Sequence, residues 1–312
     1  MATSGSKDYS ITRAGIIEAA LGKLGIFDQG ETVSGADTTT GTRVLNLMIK
    51  ELAARGVDLW LRDEIILFLQ PDQQSYLLGT ANATTTLDAE TTLSAAEASG
   101  QTVISVTSST GMTAADNVGI KMDDNTIHWT TIVSVDSSTQ ITITTATDDD
   151  AASGNNVYVY TTTAGRPTKI VSAFRRDVND IDNEVTMIGE REYRRQSNKG
   201  SSGPPVEAWY QPTLTTGTLY VWPVDGGSNW DKIHLSAQFY PDDFDAAGDN
   251  PEFPIEWVNT LVWNLAAELS ADYGLPEREQ GRLWTIAEHK LNNLLDYDVE
   301  NASLIIEMDV GR

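Results

Sequence analysis

The sequence predicts an α+β protein. Its helical core consists of N-terminal helices plus two C-terminal helices, and this core carries antiparallel strands and an inserted small all-β barrel or sandwich module. Apolar residues recur at helical spacing near both ends of the chain, whereas residues 80–163 alternate with a period of two. Between residues 164 and 240, short apolar runs are separated by turns that contain Gly or Pro, which is typical of strands.

Two helices are predicted near the start of the chain. Residues 10–27 carry an apolar stripe at helical spacing, formed by Ile17, Leu21 and Leu24. Ser10 or Thr12 is the expected N-cap, and Gly25 weakens the end of this helix. Residues 38–55 repeat apolar side chains at spacings of three and four, which predicts a second helix.

Strands are predicted next. The stretch EIILFLQPDQQSYLL indicates two strands about a Pro71-Asp72 turn. Residues 80–163 are rich in Thr, Ser and Ala and contain one basic residue, Lys121. The positions expected to alternate toward a core in this segment are Val118, Ile120, Met122, Ile127, Trp129, Thr131, Val133, Val135, Ile141, Ile143, Val157 and Val159. One-sided alternation in short strands predicts a small barrel or sandwich.

The C-terminal half is predicted to contain strands followed by helices. The expected strands are VEAWYQP, GTLYVWPVDGG and KIHLSAQFY, and the expected helices lie within residues 250–276 and 278–297. The chain thus divides into four predicted parts. They are the N-terminal helices and first strands (1–79), an inserted Thr-rich β module (80–163), the remainder of the core (164–297) and an extended C-terminal docking tail (298–312).

The helix predicted within residues 250–276 is apolar around much of its girth. Trp257 and Trp263 are six residues apart, so about 120° separates them around a helix axis. Such a helix needs partners on two sides. We expect the chain's own core to supply one side and a neighbouring subunit the other, the alternative being a wholly buried core helix.

The net charge of −24 is unevenly distributed. Residues 81–160 contain ten acidic and one basic residue, and residues 201–312 contain nineteen acidic and five basic residues. Only residues 161–200 are basic on balance, with eight basic and six acidic residues. Phosphate binding needs clustered Lys and Arg, so the charge disfavours a DNA-binding protein in the usual sense. No apolar run approaches the roughly 18 residues of a membrane span, which predicts no membrane partner.

No motif supports catalysis. Cysteine is absent, and His128, His234 and His289 have no ligand-like neighbour at metal spacing. The aspartates at 148–150 and those in the loop 241–252 offer oxygens to Ca²⁺, but neither set has the EF-hand spacing. Phosphate-binding glycine loops and nucleophile elbows are also missing from the sequence. We therefore predict a protein that is not an enzyme, with no catalytic, cofactor or metal site, although acid pairs for glycoside cleavage stay an alternative.

The basic block has two competing interpretations. Because acids are interleaved with its bases, it is either a solvated mixed surface or a set of arginines that pair with carboxylates of a neighbouring subunit. Together with the tryptophan pair and the apolar tail segment, it supplies the candidates for a subunit or portal interface. They are Trp257, Trp263, Arg175, Arg176, Arg194, Arg195, Leu304, Ile305 and Ile306.

Several segments resemble a known family in a fixed order. They are AGIIEAALGKLGIF with LNLMIKELAARGVDLW and YLLG, then EREYRRQSNKGSSGPPVEAWYQP, GTLYVWPVDGG, KIHLSAQFYPDDF and FPIEWVNTLVWNLAAELSADYG. In this order they resemble the head-to-tail adaptor (connector) proteins of tailed bacteriophages, the tail accessory factor and tail tubular protein A group. The resemblance covers most of the chain and leaves out the segment 80–163.

The resemblance implies a structural virion protein with no catalytic residues. It implies a homo-oligomeric ring, commonly a dodecamer, that is made in the host cytoplasm and lies in the virion neck between portal protein and tail nozzle or tube protein. The ring extends the DNA channel after genome packaging, lets DNA pass during ejection without specific binding, and gives the tail a docking surface. Two alternatives remain, another neck or tail-surface virion protein whose β module binds a virion component or the host surface, and a tail-associated polysaccharide hydrolase.

Overall fold

The computed structural model describes residues 9–26, 32–54, 62–177, 181–227, 232–251 and 254–297. It contains 28% helix and 32% strand with curled or barrel-like sheets, a mixture compatible with the α+β class. The chain divides into two compact units. The helical unit consists of Met1–Leu61 with Tyr240–Arg312, and the sheet unit consists of Arg62–Phe239.

Five helices and fourteen strands make up the described part of the chain. The helices are α1 (Arg13–Leu24), α2 (Gly35–Ala54), α3 (Glu190–Arg195), α4 (Ile255–Asp272) and α5 (Glu277–Tyr297). The strands are β1 (Arg62–Phe68), β2 (Ser75–Leu78), β3 (Ala83–Thr84), β4 (Ala89–Thr92), β5 (Val103–Ser105), β6 (Asn117–Lys121), β7 (Ile127–Ser137), β8 (Gln140–Ile143), β9 (Asn156–Tyr160), β10 (Lys169–Arg176), β11 (Asp182–Met187), β12 (Glu207–Pro212), β13 (Gly217–Trp222) and β14 (Lys232–Gln238).

In the helical unit, α4 packs against the other three helices, α1, α2 and α5. Thr12 caps α1 by accepting a hydrogen bond from the Gly15 amide at 3.3 Å. Gly25 ends this helix with a φ of 70°, which glycine adopts easily. Two of the predicted helix-boundary residues are therefore confirmed. The largest members of the shared core are Ile16, Ile17, Leu21, Leu45, Ile49, Trp257, Leu261, Leu265, Leu269 and Leu283.

The acidic loop before α4 is fixed to α1 and α2 by hydrogen bonds. Arg13 donates to two backbone carbonyls of the loop, and Asn46 accepts from the Phe244 amide at 3.0 Å. Lys50 lies 3.0 Å from the carboxylate of Asp243. The Phe244 side chain is buried in the helical core, so the loop is anchored by burial as well as by polar contacts.

The larger sheet of the sheet unit has eight strands in the order β2-β13-β12-β11-β10-β14-β1-β3. Only residues 79–82 join its two end strands β2 and β3, so the sheet must curl to bring its edges close. The turn expected at Pro71-Asp72 is present, but the strands beside it do not pair with each other. β1 lies between β14 and β3, and β2 pairs with β13. The strands that pair with β1 and β2 cannot be identified from the sequence around the turn.

The six remaining strands close into a barrel. They follow the order β4-β9-β6-β7-β8-β5, and an antiparallel bridge between Leu93 and Val106 joins the two ends. Residues 89–160 thus form a barrel, where the sequence predicted a small barrel or sandwich for the Thr-rich segment. The barrel begins later than that segment, because β3 pairs with β1 in the larger sheet. The barrel core includes Ile104, Val118, Ile120, Met122, Ile132, Ile141, Ile143, Val157 and Val159.

The predicted alternation is wrong in the second half of β7. Val133 and Val135 were expected in the core, but they are 53% and 37% exposed, whereas Ile132 is 2% exposed. The ladder between β7 and β8 shifts register between Ile132 and Ser134. Before this shift, His128 and Thr130 lie opposite the barrel-core residues Ile120 and Val118, so the inward side chains of β7 are the even-numbered ones and Val133 points outward.

An aromatic junction connects the barrel with the larger sheet. Phe68 of β1 is 1% exposed, and its ring centroid lies 4.9 Å from those of both Trp129 and Tyr158. Tyr160 stands 5.5 Å from Trp129 and completes the cluster. Gly119 lies opposite Trp129 on β6, and a Cβ at Gly119 would come within 2.7 Å of the indole ring. A glycine is therefore required there for the ring to reach Phe68.

Polar contacts reinforce this junction. The Gln70 side chain accepts a hydrogen bond from the Ile127 amide at 2.9 Å and donates to the Ile127 carbonyl at 2.8 Å. Lys232 of β14 pairs with Glu90 of β4 at 2.7 Å. The barrel is thus joined to β1 and β14 by apolar, amide and ionic contacts.

We expect Phe68→Ala to lower the free energy of unfolding by about 3–5 kcal/mol, because the substitution leaves a cavity between two sheets. Urea denaturation followed by tryptophan fluorescence measures this loss. Val133→Ala is the matched control, since Val133 is exposed and its truncation should change stability by less than about 0.5 kcal/mol. Equal losses for the two variants would contradict the role assigned to the junction.

Candidate interaction surface

The three histidines lie on different elements, and each has a different partner. His128 Nδ1 lies 2.9 Å from Asp148, and His234 Nδ1 lies 2.7 Å from Glu64. His289 is exposed and has a neighbouring amide, 3.3 Å away, on its own helix. Each histidine therefore sits in a separate local contact.

Aspartates of the two acidic clusters accept hydrogen bonds from backbone amides. Asp249 accepts hydrogen bonds from the amides of Asp245 and Ala246, and Asp150 accepts from the Ser99 amide. Among the residues that the structure describes, no group of three or more His, Asp or Glu side chains could hold a metal ion. The two aspartate clusters considered for Ca²⁺ thus show no assembled set of ligands within those residues.

A cleft of about 340 Å³ lies where β1, β2 and the 79–82 link meet. Its polar side chains already have partners. Gln70 bonds to Ile127, Asn82 accepts from Tyr160, and Gln73 donates to the Ser75 carbonyl. The cleft therefore belongs to the joint between the sheet and the barrel, where each of these three side chains already has a hydrogen-bond partner.

Two arginines of the basic block are engaged inside the chain. Arg175 is 9% exposed, burial lowers its pKa, and it donates to the Pro205 carbonyl at 2.6 Å. Arg176 makes two hydrogen bonds to Asp182, at 2.7 and 3.0 Å. These bonds hold the pKa of the Asp182 carboxyl below its usual value. Arg175 and Arg176 were candidates for pairing with a second subunit, but the contacts in view lie within this chain.

Arg194 and Arg195 lie on α3, a short helix that the sequence analysis did not predict. The signal is present in GEREYRR, because two glutamates begin the helix and two arginines end it, in the order that a helix dipole favours. Glu192 also accepts a hydrogen bond from the Gly189 amide at 3.0 Å. Arg194 and Arg195 are both exposed, and Arg194 pairs with Glu190 at 2.7 Å.

Helix α3 lies on an aromatic platform made by β12 and β13. Trp209 and Tyr220 stack with centroids 4.7 Å apart, and Tyr193 of α3 packs against both rings. The Arg194 guanidinium lies 5.8 Å from the centroid of Trp209. The Lys199 ammonium lies 5.2 Å from the ring centroid of Tyr193, so two cations lie close to the aromatic rings.

We name residues 190–199 with Trp209, Tyr220 and Trp222 the α3 surface. Trp222 donates to the Asn198 carbonyl at 2.8 Å, which fixes the segment after α3 to the same platform. Arginine and large aromatic residues are the types enriched in protein interfaces. The surface combines them on a rigid base, in the basic part of an acidic chain.

The tryptophan pair has an intramolecular explanation. Trp257 is 1% exposed in the helical core, and α1, α2 and α5 cover the apolar girth of α4. Trp263 is half-buried, with Lys23 and Lys290 at 5.1 and 6.0 Å from its ring. The expectation that a neighbouring subunit covers α4 at Trp257 is therefore wrong. The remaining interface candidates, Leu304, Ile305 and Ile306, lie outside the described residues.

Comparison with known proteins assigns no family. No protein-family model and no curated protein matches this chain. Within the described ranges, no helix is both long and apolar enough to cross a membrane.

We expect Asp182→Asn to lower the Tm by roughly 1–3 °C at pH 7, the small effect typical of exposed ion pairs. The folded chain lowers the pKa of this carboxyl, so its contribution is present above pH 3.8 and is lost as the pH falls through the lowered pKa. Calorimetry from pH 7 to pH 2 should show the two melting curves converging in acid. Glu184→Gln, also exposed on β11, is the control and should show no such convergence; a constant gap for Asp182→Asn would contradict the pairing.

Proposed function

We propose that this chain is a structural virion protein, a head-to-tail adaptor that forms a ring below the portal and docks the tail. The observation that carries the proposal is the set of segments that resemble the adaptor family in the family's own order. These segments correspond to α1 with α2 and β2, to α3 with β12, to β13, to β14 and to α4. The resemblance thus extends over both compact units.

In this proposal the helical unit and the larger sheet form the adaptor core, and the barrel is an insertion in it. Strands β1 and β2 precede the barrel in sequence, β10–β14 follow it, and all of them share one sheet. The barrel leaves and rejoins the core through the neighbouring strands β4 and β9. An insertion whose ends lie side by side leaves the order of the host sheet unchanged, which supports this assignment.

The charge of the chain supports a channel through which DNA passes without being held. Each copy carries −24, so a ring would present a strongly negative potential around its axis. DNA carries one negative charge per about 1.7 Å of its axis and is gripped by rows of Lys and Arg. The proposal places the ring in the virion neck, between portal protein and tail nozzle or tube protein, and includes no enzymatic activity.

The purified chain is expected to form a closed ring, alone or when mixed with the portal protein of the same virus. A ring of twelve copies would have twelve times the mass of the 34.0 kDa chain. Light scattering after gel filtration gives the mass, and negative-stain images of the mixture show whether a ring sits on one end of the portal. A stable monomer that does not bind portal would overturn the proposed function.

We expect no measurable binding of a short DNA duplex at about 150 mM salt, because the net charge repels phosphate. Arg194→Ala with Arg195→Ala should leave this result unchanged. Fluorescence anisotropy of labelled DNA measures both proteins, and the same titration at about 50 mM salt exposes any electrostatic binding. Submicromolar affinity with a steep salt dependence would reassign the basic block to DNA contact.

A further inference from the structure

Two arginines of the α3 surface have no carboxylate partner among the described residues. Arg191 and Arg195 are exposed and stand one helical turn apart, where like charges disfavour a helix. Within the part of the chain that the structure describes, neither takes part in an ion pair, whereas Arg194 between them pairs with Glu190. An acidic chain thus presents two adjacent positive groups outward at some electrostatic cost.

The base beneath these arginines is rigid. Tyr193, on the underside of α3, is 3% exposed against Trp209 and Tyr220. Gln196 donates to Glu207 of β12 at 2.5 Å, which ties the end of the helix to the platform. A partner would therefore meet guanidinium groups whose backbone is already ordered, and little conformational entropy would be lost on binding.

Carboxylates of the opposite sign are concentrated at one end of the barrel. The loops at 122–126 and 148–152 are joined by a hydrogen bond from the Asp123 amide to the Asp150 carbonyl at 2.9 Å. The two joined loops carry five aspartates, Asp123, Asp124, Asp148, Asp149 and Asp150. Their hydrogen bonds come mainly from neutral groups, such as Asn155 on Asp123 and Ser99 on Asp150, so most of the negative charge is retained.

We propose that the α3 surface of one copy docks onto this acidic barrel end of a second copy. In the proposed ring the contact is heterologous, because the α3 surface of each copy meets the barrel end of the next, and both surfaces belong to the sheet unit. The inference rests on the proposed ring-forming function and deepens it by naming the contact between copies. Arginine forks suit it because they bind carboxylates with two parallel hydrogen bonds.

A second copy fits this surface better than DNA does. The α3 surface carries Arg191, Arg194, Arg195 and Lys199 against Glu190 and Glu192, so its local excess of positive charge is small. A phosphate-binding face needs several uncompensated cations along a groove. The pair of acidic loops at the barrel end needs only a few arginines as partners, and every copy of this chain carries that pair.

The test reverses the charge of the surface. Arg191→Glu with Arg195→Glu should shift the wild-type ring at about 150 mM salt to monomers, measured by light scattering and analytical ultracentrifugation. Neither arginine forms an ion pair with the described residues of its own chain, so circular dichroism should match the wild type, and the Tm should fall by no more than about 4 °C because an acid replaces a base at the end of α3. Arg278→Glu with Arg282→Glu, two exposed residues of α5, makes the same change in net charge and should leave the ring intact.

Compensation identifies the partner surface. Asp124→Lys with Asp149→Lys should also dissociate the ring, and all four substitutions in one chain should restore it, because the contact then re-forms with its charges exchanged. Rings that persist after the arginine reversal would overturn this contact and leave the proposed adaptor function standing. Dissociation without restoration would overturn the barrel end as the partner. DNA binding by the wild type that the arginine reversal abolishes would replace the second copy with nucleic acid.

Discussion

The antiparallel pairing of β1 with β14 is the constraint on which the rest of the architecture depends. Seven consecutive residue pairs, from Arg62 with Gln238 to Phe68 with Lys232, join the first and the last strand of the sheet unit. β1 follows α2 along the chain, and β14 precedes α4, so the ladder brings the two ends of the sheet unit together. The helical unit, formed from both ends of the chain, can then assemble around α4. The closing loop is long, but its entropic cost grows only slowly with length.

Local periodicity predicted the elements whose burial pattern is regular. The apolar stripes of α1, α2 and α5 follow from side chains that face the helical core, and the alternating apolar residues of β6, β8 and β9 follow from side chains that face the barrel core. The bulge in β7 was not predictable, because nothing in its sequence marks the residue at which the pairing shifts. The partner strands of β1 and β2 were left unpredicted for a related reason. A turn signal such as Pro71-Asp72 fixes a change of direction but not the choice of partner strand.

The candidate site was predicted in part. The sequence indicated a basic block, but it did not show which of the arginines in this block bind to groups within the same chain. Arg175 is held by a backbone carbonyl of another segment and Arg176 by a carboxylate across a β-hairpin, contacts that depend on tertiary structure. Trp257 was misassigned because a helix that is apolar on all sides has the same sequence pattern whether it is buried by its own chain or by a second subunit. The aromatic platform beneath α3 joins residues 193, 209 and 220, and only the pairing of β12 with β13 brings the last two together.

The closure of the barrel by the Leu93–Val106 bridge has a consequence for how such a chain can change over evolutionary time. A closed barrel exposes no free strand edge, so it offers no template for pairing with other chains. Its entry and exit strands are neighbours, with Ala89 opposite Val159. The whole barrel could therefore be inserted or deleted in one genetic step without a change in the strand order of the larger sheet. Loss of the barrel would expose the Phe68 ring to water. A lineage without the barrel would therefore favour a polar residue at this position.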